Sequence, residues 1–346
     1  MQKVSAIFTG VLAIVMVGGI AMIVGCQRDQ GPAGPAGPAG ASGGTAACGT
    51  CHSVSTEVLA KQLQWENSQH AMGGHNDRSE AGCAPCHTSE GFRETLGTVH
   101  PKTALAKIDN ATPQNCRTCH NIHKKYDRTD FDLATSTPVK LVRGGTYNVG
   151  KSNLCAECHQ QRPVTPDPTV AHADTATIRV TSSRFGPHYG SQSSVLLGVG
   201  GYEIKGLTAY ESSSHKTATN DGCVTCHMAP PYGNKAGGHT WRLAYDYNGV
   251  ETLYVAACTK CHSTAKNFDI NGQLTEIAAL TKELKDILIA KKLLTDANLA
   301  VVGTYPMDQA GCLFNYRMLL GDKSGGVHNA KYYKALLKNS IAYMKK

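Results

Sequence analysis

Cys116-Arg-Thr-Cys119-His120-Asn-Ile-His123 is the stretch on which the reading of this chain turns. Two cysteines separated by two residues and followed at once by histidine read as a c-type haem attachment site. The spacing answers to the chemistry. The two thiols add to the vinyl groups on one edge of the porphyrin, and the next residue brings an imidazole under the iron. His123, three residues on, is placed to serve a second iron. One such pentapeptide says little, because Cys-x-x-Cys also serves zinc and thiol redox chemistry.

Working outward, the pattern comes six times: Cys48/Cys51/His52, Cys83/Cys86/His87, Cys116/Cys119/His120, Cys155/Cys158/His159, Cys223/Cys226/His227 and Cys258/Cys261/His262. Zinc ribbons do not require a histidine after every second cysteine, and disulfide scaffolds do not require the pairing at all. The expectation is six covalently held haems c.

Composition agrees. The chain is long enough for two ordinary domains, yet it carries only two Trp and six Phe against 36 Gly. That is a thin apolar supply, and six flat porphyrins would fill the gap. The expected fold is therefore mostly irregular, with α-helices and little strand, the polypeptide wrapping a haem chain instead of building a core of its own. The formal charge of +8 is no argument for a nucleic-acid partner. Six haems bring about twelve propionate charges and return about six as ferric centres, so the oxidised total lies near neutral. Basic residues are scattered, with no aromatic-basic platform.

Residues 1–25 look like an export signal, with Lys3 ahead of a nearly continuous apolar run from Ala6 to Val24. Ile23-Val24-Gly25-Cys26 resembles the lipobox of bacterial lipoproteins, in which the cysteine is diacylated. An uncleaved membrane anchor is the competing reading, since the run approaches a bilayer-spanning length. Both readings export the protein, toward the periplasm-facing or outer surface. Residues 26–47 follow as a linker whose Gly-Pro-Ala triplets at 31–40 suit a semi-rigid polyproline II spacer. Residues 48–270 form the haem-binding region.

A proximal histidine leaves the sixth iron site to be filled. Nine histidines lie outside the motifs. His70, His123, His188, His215, His239 and His328 are the expected distal ligands, which would make all six haems bis-histidine and low-spin. His70 is read on a short helix, and His188 sits in Phe185-Gly-Pro-His-Tyr-Gly, where glycine allows close backbone approach. His75, His100 and His172 are read as exposed bystanders, and Met72 and Met228 as packing residues. Which distal histidine serves which haem is left open. The interval from His159 to Cys223 suggests a division between a four-haem and a two-haem group; within it, Ile178-Arg-Val-Thr reads as a strand.

Residues 271–346 change character. Leu274, Ile277, Leu280, Leu284, Ile287 and Leu288 recur at helical spacing, and a second helix is read from Ala330 to Tyr343. Cys312 has no motif partner and reads as a small buried residue.

Phe185-Gly-Pro-His-Tyr-Gly-Ser-Gln, Gly200-Gly-Tyr, Ser214-His215, Cys223-Val-Thr-Cys-His-Met, Gly238-His239-Thr, Phe314-Asn-Tyr and Asp322-Lys-Ser-Gly-Gly-Val-His-Asn form an ordered series. It resembles the outer-surface multihaem cytochromes of metal-reducing bacteria across most of residues 48–346. The resemblance implies that the six chosen histidines are distal ligands. It also implies electron transfer, with other cytochromes, redox proteins or metal oxides as partners, and with a homopolymeric filament as one form of assembly. The distantly similar nitrite reductases imply an alternative, reduction of nitrite, hydroxylamine or another oxyanion at one open haem. Those enzymes often replace the proximal histidine with lysine, and no Cys-x-x-Cys-Lys occurs here. The expectation is an electron carrier without catalytic residues.

Overall fold

The computed structural model describes residues 55–168 and 176–346. Two compact units divide the chain after Ala46, and every described residue belongs to the second. The proposed lipidation site Cys26, the first motif (Cys48, Cys51, His52) and His172 lie outside the described residues.

Short helices and turns dominate the motif-bearing part: α1 Ser55–Glu66, α2 Ala84–His87, α3 Ser89–Thr95, α4 Cys116–Cys119, α5 Asn153–Ala156, α6 Gln192–Leu197, α7 His215–Ala218 and α8 Cys223–His227. Three long helices follow: α9 Gln273–Ala290, α10 Met307–Asp322 and α11 Ala330–Met344. The strands pair two by two, all antiparallel: β1 Val139–Lys140 with β2 Thr146–Tyr147, β3 Thr177–Val180 with β6 Gly303–Pro306, and β4 Ala244–Tyr247 with β5 Val250–Leu253. The β4–β5 hairpin turns on Asn248 and Gly249, both at positive φ, as a tight two-residue turn demands.

Helical and irregular structure with little strand is what the composition predicts. The expected lack of a polypeptide core is overturned. Leu284, Leu313, Phe314, Met318, Leu336 and Leu337, from α9, α10 and α11, are all fully buried together. The aliphatic supply, rather than the aromatic one, builds this core. Its strand component joins distant sequence, because Ile178 on β3 stands opposite Tyr305 on β6. The expected strand at Ile178 is thus present, as one half of a ladder whose other half the sequence did not announce.

Side chains accept from first-turn N–H groups of α9 and α11. The Asp269 carboxylate accepts from the Leu274 N–H at 2.7 Å ahead of α9, and the Asn329 side chain accepts from the Tyr332 N–H at 3.2 Å ahead of α11. Cys312 is fully buried on α10, with Sγ 3.7 Å from the Ser340 carbonyl. Among the described residues, no helix is long and apolar enough to cross a membrane.

Candidate haem centres

Each described motif closes one helical turn. The N–H of His87, His120, His159 and His262 bonds the carbonyl of the first cysteine of its own motif, at 2.7–3.2 Å. In the fifth motif, α8 is itself that turn. An i→i−4 bond puts the first cysteine and the histidine on one side of the turn, which is how both can address one flat group.

The five described proximal histidines each face another histidine. Ring centroids are 6.2 Å apart for His87 and His188, 6.2 Å for His120 and His239, and 6.1 Å for His159 and His70. They are 6.3 Å apart for His227 and His328, and 6.2 Å for His262 and His215. With a metal–imidazole bond of about 2 Å and about 1.2 Å from nitrogen to centroid, two rings holding one iron between them would stand about 6.4 Å apart. Five of the six histidines expected as distal ligands take part. His123 stacks on Tyr126 at 5.6 Å, while His52 lies outside the described residues.

Among the described residues, no group of three or more His, Cys, Asp or Glu side chains converges on one point. Two axial imidazoles without further protein ligands fit a haem, whose own nitrogens occupy the equatorial positions. Buried polar atoms fit as well. Both amide atoms of Gln161 and the hydroxyls of Ser193 and Ser194 have no protein partner. They lie beside the fourth motif, where the Ser193 N–H donates to the His159 carbonyl. Such groups suit the propionates of a porphyrin. A further cavity, lined in part by Met228, Gln64 and His239, opens beside the His120–His239 pair. Met228 is thus a lining residue, while Met72 is exposed.

The surroundings keep most of these imidazoles ready to ligate. Loss of water around the rings, with the nearby histidines and, for His239, Lys61 adding to it, pushes His70 and His239 down to about 4. A neutral ring offers its lone pair. Hydrogen bonds fix the tautomer. Nδ1 of His120, His215 and His227 faces the carbonyls of Phe131, Val327 and Trp241 at 2.6, 2.7 and 2.9 Å. Donation from Nδ1–H leaves Nε2 free for the metal. His328 differs. Its Nδ1 lies 2.7 Å from Oδ1 of Asp322, and although burial works against its charged form, that carboxylate carries its pKa upward.

Some local expectations need correction. His70 lies in the turn beyond α1, which ends at Glu66, and not on a helix. His188 takes φ of 64°, a left-handed conformation that aims its ring back at His87. His100 is not an exposed bystander: its side chain is buried, 3.4 Å from the Glu157 carboxylate. Across the interval after His159, Cys155 and Cys223 lie close enough for each to act on the other.

Contacts of this kind link the centres. Cys86 and Cys158, from the second and fourth motifs, act on each other in the same way. Trp241 lies 4.6 Å from His70 and 5.6 Å from His239, joining the fourth centre to the third. Sequence reasoning missed Trp241 and Asp322; the His-Thr-Trp run gives a signal for the first, and nothing local gives one for the second.

No protein-family profile matches the chain. Among curated proteins it is similar to the C-type polyheme cytochrome OmcB of Geobacter sulfurreducens, in two strains, at 24% identity over 77% of this chain. The chain spans less than half of that relative, 44% of its length. Among solved structures it is similar to the outer cell wall cytochrome OcwA, with a TM-score of 0.50, 19% identity, and coverage of 82% of this chain and 50% of that one. An undecaheme cytochrome from the S-layer of Carboxydothermus ferrireducens aligns at a TM-score of 0.43 and 18% identity, over 83% of this chain and 40% of that one. In sequence the chain is thus similar to a polyheme c-type cytochrome, and in fold to an outer cell wall cytochrome.

Proposed function

We propose that the chain is a hexahaem electron-transfer relay, carrying electrons across the periplasm or outer surface toward partner cytochromes, metal oxides or other extracellular acceptors. The observation that carries the reading is the set of five histidine pairs at one common spacing, each joining a motif histidine to a histidine from elsewhere in the chain. Paired imidazoles close both faces of each iron, so such centres bind no substrate and exchange only electrons. Each haem, when bound, supplies a one-electron couple; the chain fixes its axial ligands, its spacing and its access to water. His123, the remaining histidine of the expected set, is assigned to the sixth iron. Lipidation at Cys26 and the 26–47 linker would tether the 48–270 haem region and the 271–346 helical region to an outer membrane. The similarity to OmcB supports a place in a chain of cytochromes.

Low-temperature electron paramagnetic resonance of the fully oxidised, haem-loaded protein, integrated against total iron, tests this reading. Six low-spin haems are expected. The ring planes of three pairs cross at 72°, 78° and 81°, while those of His120 and His239 cross at 35°. Near-perpendicular imidazoles give strongly anisotropic low-spin signals, so at least two classes of signal are expected. A stable high-spin fraction near one in six, shifted by nitrite or hydroxylamine, would replace the relay with a reductase.

A further inference from the structure

We infer that Asp322 is a positioning residue that draws on the Nδ1 proton of His328 and holds the His227–His328 centre at low potential. The inference rests on the ligand reading above and goes beyond it to a residue that touches no iron.

His120, His215 and His227 turn Nδ1 onto neutral backbone carbonyls, whereas His328 turns it onto a carboxylate. The placement of that carboxylate is costly. The Asp322 side chain has no exposure to solvent, and a buried charge is unfavourable unless paired and hydrogen-bonded. Asp322 is also the last residue of α10, the end of a helix where the dipole disfavours an anion. Helix stability therefore gives no reason for an acid here. Its hydrogen bonds do. Oδ1 takes the His328 ring at 2.7 Å, and Oδ2 accepts from the Ser324 hydroxyl and, at 3.3 Å, from the Ser324 N–H. The adjacent Lys323 turns its ammonium over the Tyr189 ring, while the carboxylate addresses the imidazole N–H.

The chemistry follows from charge. A carboxylate pulling on Nδ1–H gives the ring partial imidazolate character and makes Nε2 a stronger donor. A stronger, more negative axial ligand stabilises ferric over ferrous iron, which lowers the potential. A backbone carbonyl in the same place does this far less.

The test is a potentiometric titration of the full-length, haem-loaded protein, followed by electron paramagnetic resonance. In Asp322→Asn, one midpoint should rise by at least a tenfold change in its one-electron equilibrium, about 59 mV, while the others stay. Asp322→Glu should restore most of the shift. Ser324→Ala removes a donor to Oδ2 and leaves the carboxylate more basic, so the same midpoint should fall. The inference is overturned if Asp322→Asn keeps all its haems and no midpoint moves, or if all midpoints drift together. If Asp322→Asn fails to load haem, Ser324→Ala decides alone, and an unmoved or raised midpoint overturns the idea. His328→Ala separates the inference from the reading beneath it. Loss of one bis-histidine signal upholds His328 as a ligand; an unchanged spectrum removes the ligand reading and this inference together.

Discussion

Lys102 and Glu157 are an ion pair with little water around it: Nζ and Oε2 are 2.6 Å apart, and the side chains are 2% and 9% exposed. Glu157 lies between the two cysteines of the fourth motif, so the pair ties the loop after α3 to a haem attachment turn. Burial works against the Glu157 carboxylate, yet the neighbouring His100 ring and the Lys102 ammonium hold its pKa below the ordinary value. A depressed carboxylate stabilises the fold above its unfolded pKa, and that contribution is lost as pH falls through the folded value. Lys102→Met strands the charge and should cost about 3–5 kcal/mol at pH 7. The deficit should shrink toward pH 4 and below, where a protonated Glu157 needs no cation. Guanidinium midpoints of wild type and variant at the two pH values check this; a deficit independent of pH would refute the pairing argument. At this scale the candidate site was largely legible. The motif histidines announce themselves by position, and His188, His215, His239 and His328 by the small residues that let backbone approach a plate. Their partners were not legible, because pairing His70 with His159 needs long-range folding that no local pattern encodes. His100 was misread for a related reason: a buried polar side chain looks like a surface one until its partner is known.

Among the elements, α10 shows most clearly where pattern reading ends. α9 and α11 carry one apolar stripe each, and the sequence places them nearly to the residue. α10 buries Met307, Leu313, Phe314, Tyr316 and Met318 on several faces, so it has no polar stripe to set a period. It was left unread, although it is the centre of the helical core. Gly311 sits inside it for a steric reason. A Cβ there would overlap the Tyr202 ring. That ring cannot retreat easily, because Tyr202 N–H donates to Asn315 Oδ1 at 2.7 Å and Asn315 Nδ2 donates back to the Tyr202 carbonyl at 2.8 Å. In an open helix Gly→Ala gains about 0.8–1 kcal/mol. Here overpacking, which costs about 1–3 kcal/mol, should win, so Gly311→Ala is expected to lower the melting temperature. A raised melting temperature would mean that the Tyr202 loop yields. The same loop carries Gly200-Gly-Tyr, so its position also matters to the buried Gln161 amide beside the fourth motif.

In the whole molecule, the contacts between centres do not follow chain order. The fourth centre, His159 with His70, meets the second through Cys86 and Cys158, the third through Trp241, and the fifth through Cys155 and Cys223. The sixth adjoins the fifth, where Cys258 and Cys261 act on Cys226. The haem order that the sequence leaves open would then be a junction with arms. Among the described centres, traffic between two of these arms would cross the fourth, and a disturbance there should spread further than the same disturbance at an end. His70→Met and His215→Met make the comparison, since a thioether in place of an imidazole raises the potential of its haem. At the junction the raised haem becomes a trap, and each 1.4 kcal/mol or so of depth slows electron escape about tenfold. Stopped-flow reoxidation of the fully reduced protein by a soluble ferric chelate reads the outcome. With His70→Met, most of the haem absorbance should reoxidise more slowly, leaving one haem reduced last. With His215→Met, a single slow phase of about one haem should appear, while the others keep the wild-type rate. Equal slowing in both variants would mean that the centres exchange electrons with solvent independently, and the branched path would be wrong.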